Sequence, residues 1–229
     1  ISIPPTLLVS SIGQIDDVKK AVTMPLKDAG DVIYVIGETK DELGASAYYR
    51  LLAAAQGTPM NYGGTVPAVD AEKALKIYAA MNKATDAGLL KSATSPSKGG
   101  IAVSLALITM GGQLGADVDL SGLACPEGTR GGLDAATALF SESNSRFTVT
   151  VAPEKATELE SLFANLPITK IGSVTAEKVL KVTGAVSVEI DALAALELLD
   201  PQHLAAANGN RLAEDRLEDE LETPLPVLR

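Results

Sequence analysis

The sequence predicts one α+β domain, an α/β sandwich in which a mixed β-sheet carries packed helices. Short runs of β-branched and apolar residues alternate with longer amphipathic stretches, and clusters of Gly, Pro, Asp and Ser punctuate them. No repeat at solenoid spacing and no low-complexity linker interrupts that pattern. A chain of 229 residues, 46% hydrophobic and 21% charged, is long enough to bury a substantial core.

Residues 6–12 (TLLVSSI) and 32–36 (VIYVI) read as strands, the second entered through the turn sequence Asp28-Ala29-Gly30-Asp31. Residues 41–56 read as a helix ended by Gly57. Asp70 caps a helix reaching about residue 87, with Ala71, Leu75, Tyr78 and Met81 on one apolar face and Gly88 as its stop. Gly99 and Gly100 open a helix over 101–110, apolar on nearly all sides and so expected to be buried, closed by Gly111 and Gly112.

A short strand over 116–120 leads into a glycine-rich loop through Gly132, and residues 147–151 (FTVTV) alternate as a strand does. Pro153 suits the first turn of a helix whose stripe is Ala156, Leu159, Phe163 and Leu166. Residues 168–174, 179–182 and 186–190 read as three strands, and Asp191 as the cap of a last helix that Pro201 interrupts. Residues 211–222 hold six acidic and two basic side chains. The expected division is a folded domain over 1–200 and an acidic helix or tail over 201–229.

Charge and composition exclude several classes. Nineteen Lys and Arg against 29 Asp and Glu give a net charge of −10, which disfavours nucleic acid and anionic lipid as partners. Aromatic residues make up 3%, with no Trp, so base-stacking platforms are poorly supplied. The longest apolar stretch, around 101–110, is too short for a membrane span. With one cysteine, Cys125, and one histidine, His203, neither an internal disulfide nor the usual zinc ligand set can be built, which suits a cytoplasmic protein. Residues 1–5 lack the basic start of a signal peptide, and the missing initiator Met predicts a piece of a longer chain.

The candidates for chemistry are few. No GxxxxGK[ST] occurs, and no GxGxxG follows a strand. The free N–H groups at Gly99 and Gly100 are a candidate anion site. The glycine-rich runs 111–115 and 128–132 offer the same, with a helix stop and a loop as the simpler account. Asp117 and Asp119, two apart on a strand, face one side and suit either a divalent metal or a solvated edge. Asp41 and Glu42 suit a first helical turn by the dipole alone. His203 reads as a packing or surface histidine and Cys125 as an inert thiol. Residues 141–146 (SESNSR) gather a carboxylate, an amide, hydroxyls and a guanidinium. They suit a grip on a polar ligand with Arg146 bidentate on phosphate or carboxylate, or equally an internal Glu142–Arg146 ion pair.

In combination these pieces are familiar. Residues 4–8 (PPTLL), 31–44 (DVIYVIGETKDELG), Tyr48 and Tyr49, Lys91 and Ser92, 99–106 (GGIAVSLA), 114–116 (LGA) and 139–147 (LFSESNSRF) follow one another in a specific order and spacing. In that order the chain, from about residue 3 to 190, resembles the phosphoribosylformylglycinamidine synthase family. The likeness is to the second of its two aminoimidazole-ribonucleotide-synthase-type C-terminal domains. The resemblance implies ATP-dependent amidation of formylglycinamide ribonucleotide in purine synthesis, with ammonia drawn from glutamine by a glutaminase domain or subunit. It implies ATP and Mg2+ in the parent enzyme, held mainly by N-terminal domains of the same chain, and no cofactor bound by this piece alone.

The resemblance also maps a substrate-contacting loop onto Glu142, Ser143 and Asn144, with Asn144 standing where the family has Gln, and with Arg146 beside it. In the family's second copy this loop is largely vestigial. Departures elsewhere point the same way. The family's Lys-Ser-x-His-Asp-x-Ser-Asp-Gly-Gly is here 91–100 (KSATSPSKGG), so that Thr94, Ser95 and Lys98 replace His, Asp and Asp. Its Gly-Gly-Ser-Glu is here 44–47 (GASA), with a further carboxylate lost. The expectation is a mainly structural domain with no catalytic residue and no metal ligand. The alternative is a relative in the same superfamily, a cyclo-ligase, selenophosphate synthetase or hydrogenase-maturation protein, whose domain contributes a phosphate or nucleotide site. The run Gly-Glu-Thr-Lys-Asp-Glu-Leu-Gly argues against those.

Overall fold

The computed structural model describes residues 8–58, 63–126 and 132–193. Strand β1 (Val32–Ile36) is buried along its whole length, which is why its sequence is continuously apolar rather than alternating. Seven strands form one mixed sheet in the order β2-β4-β1-β5-β3-β6-β7. Beside β1 they are β2 (Leu90–Thr94), β3 (Gly115–Val118), β4 (Phe147–Val151), β5 (Ile168–Thr175), β6 (Val179–Val182) and β7 (Val186–Glu189). Every neighbouring pair is antiparallel except β3 and β6, which run parallel. The helices are α1 (Ala47–Gln56), α2 (Ala71–Asp86), α3 (Gly100–Gly112), α4 (Ala135–Phe140) and α5 (Ala156–Leu162).

The two-residue period of β1 sends its side chains into two separate cores. Ile33 and Val35 pack with Ile101, Leu105 and Ile108 of α3 and with Ala138 and Leu139 of α4. Val32, Tyr34 and Ile36 pack with Ile77, Ala80 and Met81 of α2 and with Leu159 of α5 and Phe163 beyond it. The result is a sandwich with helices on both faces, as the sequence predicts. Tyr34 is the polar intruder, and its hydroxyl is satisfied by Glu160 Oε1 at 2.6 Å.

Local chemistry sets most helix ends. The side chains of Ser46, Asp70 and Asp134 accept from the N–H of Tyr49, Lys73 and Thr137, the cap geometry that closes a first turn. Gly57 ends α1 in the left-handed conformation at φ 61°. Pro153 stands in a short 3-10 turn, Pro153–Lys155, that runs into α5.

Several boundaries differ from the sequence reading. Residues 8–12 form no strand, and Leu8, Val9 and Ile12 are exposed; the rest of that segment lies outside the described residues. The first helix starts at Ala47, not at residue 41. Gly44 is pressed against residues 64–65, with its N–H on the Thr65 oxygen, and Ala45 is left-handed at φ 58°, so a helix cannot run through them. Asp41 and Glu42 therefore lie before the helix.

On α2 the buried face is Ala74, Ile77, Ala80, Met81 and Ala84, while Leu75 and Tyr78 point out. Three alanines let that helix approach the sheet more closely than the bulkier stripe would. Helix α3 continues through Gly111 and Gly112 and ends at Gln113. A Cβ on Gly112 would stand 2.6 Å from the Leu26 oxygen, so this pair gives room for a crossing chain rather than a stop. Its outer side is open, with Val103 41% exposed. Strand β3 closes at Val118, which leaves Asp119 beyond the strand rather than two places along it. The chain turns helical at residue 190, so Asp191 lies within that turn rather than capping it. Pro201, His203, the acidic tail and residues 127–131 lie outside the described residues.

At Gly172 the centre of the sheet has no spare volume. This residue pairs with Ile33 on one side and Val118 on the other, and a Cβ there would collide with the backbone of Asp117. Gly172→Ala is expected to lower stability by about 1–3 kcal/mol through overpacking. The midpoint of urea unfolding measures it, and an unshifted midpoint would contradict that close approach.

Candidate functional site

The loop between α4 and β4 carries the sequence-predicted residues Glu142, Ser143, Asn144 and Arg146, and the start of α3 carries Gly99 and Gly100. The structure brings them to one place. Arg146, the residue before β4, has no solvent exposure and is the bulkiest fully buried side chain among the described residues. Its Nε donates to the Ser143 carbonyl at 2.9 Å, one terminal nitrogen to Thr39 Oγ1 at 3.0 Å, and the other to the Ser141 carbonyl. Burial pushes the guanidinium down to about 10, and the carboxylates of Glu42 and Glu142 oppose that shift. It stays charged at neutral pH.

The two segments that Arg146 joins are also zipped to each other. Ser141 Oγ donates to the Lys40 carbonyl at 2.7 Å, and the Lys40 N–H donates to Ser143 Oγ at 3.0 Å. Thr39, Ser141 and Ser143 are all buried. Gly37 makes the junction possible. It sits at φ 98°, and a Cβ would stand 2.6 Å from the Ser145 oxygen and 2.9 Å from Arg146 Cγ. Gly100, at φ 63°, is pressed in the same way: a Cβ there would stand 2.5 Å from the Ser141 oxygen.

Glu142 is not paired directly with Arg146. Its Oε1 accepts from the Ala47 N–H at 2.9 Å and from the Gly99 N–H at 2.9 Å. The N-termini of α1 and α3 thus converge on one carboxylate oxygen, a favourable place for negative charge. The Gly100 N–H is taken by the Ser97 carbonyl. The anion at Gly99 is therefore supplied by the chain itself.

Glu42, which the sequence places in a first helical turn, instead belongs to this buried junction. It is 4% exposed; Oε1 accepts from the Ala68 N–H at 3.2 Å and lies 4.0 Å from Lys40 Nζ, while Oε2 is buried without a hydrogen-bond partner. Nothing local signals this, because Ala68 is 26 residues away. Asn144 alone among the four loop residues is exposed. It edges a cavity of about 20 Å3 lined by Glu38, Lys40, Asp70, Lys73 and Ser145.

Several other polar positions have structural partners. Lys91 bridges Asp28 at 2.7 Å and the buried Asp31 at 3.1 Å, and both carboxylates raise its ammonium above the ordinary lysine range. Ser92, on the edge strand β2, shares a buried hydrogen bond with Thr150 of β4 at 2.7 Å. Ser95, at a position where the resemblance expects Asp, donates to the Arg146 carbonyl at 3.3 Å. Asp117 and Asp119 are exposed, and Asp119 accepts from the Ser121 N–H at 2.8 Å. Among the described residues, no three His, Cys, Asp or Glu side chains gather as a metal site. With the Gly99 and Gly100 N–H groups already engaged, these residues do not fit a cradle for Mg2+ or nucleotide phosphates.

The family model for AIR synthase related protein, C-terminal domain, matches residues 28–185, more than half of the chain. The chain belongs to that family. This AIR synthase related domain is 36% identical over 194 residues to the phosphoribosylformylglycinamidine synthase subunit PurL of Thermobifida fusca. The match covers 82% of the chain and 23% of that protein, so the chain spans about a quarter of the relative's length.

Among solved structures it resembles T. maritima PurL complexed with FGAR at TM-score 0.66 and 21% identity, over 77% of this chain and 30% of that one. T. maritima PurL complexed with ATP matches at TM-score 0.59 and 20% identity, covering 77% and 28%. E. coli HypE, a hydrogenase maturation protein, matches more weakly, at TM-score 0.51 and 19% identity, covering 74% and 50%. At these identities the structural matches establish the fold.

Arg146→Lys in this domain keeps the charge but loses the planar fork that reaches three acceptors. It is expected to cost about 2–4 kcal/mol, because a single ammonium cannot serve the buried Ser141 and Ser143 carbonyls and the Thr39 hydroxyl together. Chemical denaturation measures the loss; a variant as stable as the parent would show that the fork holds nothing.

Proposed function

We propose that this chain is the second AIR-synthase-type C-terminal domain of a phosphoribosylformylglycinamidine synthase, an ATP-dependent C–N ligase of purine synthesis. Within it the domain serves as scaffold rather than as catalyst. Residues 1–200 make up the domain and 201–229 an appended acidic segment. ATP and Mg2+ act in the parent's N-terminal domains, and the glutaminase domain or subunit delivers ammonia. The 36% identity to the T. fusca subunit supports this assignment, as does the small share of that subunit that the chain spans. The T. maritima structure titled PurLQS is consistent with assembly of such subunits.

One observation carries the scaffold reading: the loop's charged side chains are spent on the chain's own backbone. Arg146 has no exposed surface, and Glu142 caps two helices. A guanidinium enclosed in this way cannot reach a phosphate without dismantling the junction. The 229-residue chain, given Mg-ATP, formylglycinamide ribonucleotide and either glutamine or ammonia, is expected to produce no amidated product above the buffer control. Measurable turnover would overturn the scaffold role.

A second reading rests on Asn144, which is exposed, and Lys40, whose nearest carboxylate is Glu42 at 4.0 Å. Together they could touch a nucleotide or phosphate held by a neighbouring domain of the parent. Titration calorimetry of the full-length protein with Asn144→Ala separates the two. Unchanged affinity for ATP and for formylglycinamide ribonucleotide is the scaffold outcome, and about tenfold weaker binding, near 1.4 kcal/mol, is the other.

A further inference from the structure

We propose that Glu142 is an intramolecular ligand: its carboxylate fills an anion site made by the N-termini of α1 and α3, and in filling it holds α1 on the body of the domain. Two backbone donors and one buried cation surround the carboxylate. The Ala47 N–H at the start of α1 and the Gly99 N–H at the start of α3 both donate to the same Oε1 at 2.9 Å. The buried Arg146 guanidinium lies close enough for the Glu142 charge to bear on it. The group bound between the two helices is a single carboxylate, which sets the ligand chemistry of the site.

The two helices depend on this contact unequally. Helix α3 buries six of its residues in the core beneath the sheet and is held there whatever happens at its first turn. Helix α1 buries only Ala53. Among the described residues its other ties to the domain include the Tyr48 ring stacked on Phe140 at 4.7 Å between centroids and, just before the helix, the Gly44 N–H on the Thr65 carbonyl. Ala45, at φ 58°, carries the chain into that helix in a conformation unfavourable for a residue with a Cβ. Removing the carboxylate therefore frees α1 and leaves the sheet and α3 in place. Glu142 is a positioning residue, and α1 is the element it positions.

Hydrogen exchange on the 229-residue chain tests this, with Glu142→Ala and the near-isosteric Glu142→Gln. In Glu142→Ala the amides of α1 are expected to exchange about tenfold faster, the loss of a good cap, while those of β1, β4 and α3 are unchanged. Sodium formate, which supplies a carboxylate small enough for the vacated space, is expected to restore α1 protection in that variant. Sodium chloride at the same ionic strength restores nothing, and the parent chain responds to neither salt. Glu142→Gln keeps one acceptor oxygen and is expected to fall between.

Unchanged α1 protection in Glu142→Ala overturns the proposal, as does a loss that formate leaves untouched or an equal formate effect on the parent. If Glu142→Ala loses protection throughout, Glu142→Gln decides. Loss confined to α1 in that variant supports the proposal, and uniform loss or no loss overturns it.

Discussion

Arg146 donates to Ser141, Ser143 and Thr39 from a position wholly out of water, and the layout of the surrounding loops follows from satisfying it. A guanidinium has donors and no acceptor, so each buried N–H needs an oxygen brought to it. Two of those oxygens are carbonyls of the residues just before it, which forces the 141–145 segment to curl over its own side chain. Ser145 takes up the reversal at φ 59°. The third oxygen belongs to the segment after β1, and only a glycine at 37 lets that segment lie close enough. A buried charge of this kind adds little net stability over an apolar cluster of the same size. What it adds here is registration, because only one arrangement of the loops satisfies the fork.

That arrangement explains why a loop dense in polar groups offers so little to a ligand. Arg146 is engaged with the Ser141 and Ser143 carbonyls and the Thr39 hydroxyl, and Glu142 Oε1 with the Ala47 and Gly99 N–H groups. The same holds beyond the loop: Lys91 is committed to Asp28 and Asp31, Ser92 to Thr150, and Ser95 to the Arg146 carbonyl. The domain keeps close-packed glycines at 37, 100 and 172 and buried hydroxyls at Thr39, Ser141 and Ser143. Among the described charged residues, Asp31, Glu42 and Arg146 are turned inward, while Asp117 and Asp119 face solvent.

Elements fixed by local chemistry were legible in the sequence. The uniformly apolar β1, the alternating β4, the Asp70 cap, Gly57 and Pro153 all do what their side chains dictate over a few residues. The misread elements answer to distant partners. The acids at 41 and 42 resemble a first helical turn, yet Gly44 is held by Thr65 and Glu42 by Ala68, so the helix waits for Ser46. On α2 two apolar stripes compete, and the sheet selects the slimmer one. Gly111 and Gly112 look like a stop, and only the crossing of Leu26 shows them to be a place of contact. At the site, Glu142 and Arg146 stood out as chemistry-bearing residues. Their fates depend on Thr39, 107 residues from Arg146, and on Ala47, 95 residues from Glu142, and no spacing rule links such pairs.

The strand order β2-β4-β1-β5-β3-β6-β7 has a kinetic consequence. Of its six neighbouring pairs, only β6 and β7 adjoin in sequence as well as in space. Strand β1 ends at Ile36, and the strands that flank it begin at Phe147 and Ile168. A nascent chain emerging from the ribosome therefore displays its most apolar strand long before either lateral partner exists. Closing such wide loops is entropically slow, and the early strand meanwhile resembles an aggregation seed. For this topology, biogenesis is a race between translation and self-association, and shielding of the nascent segment decides the yield.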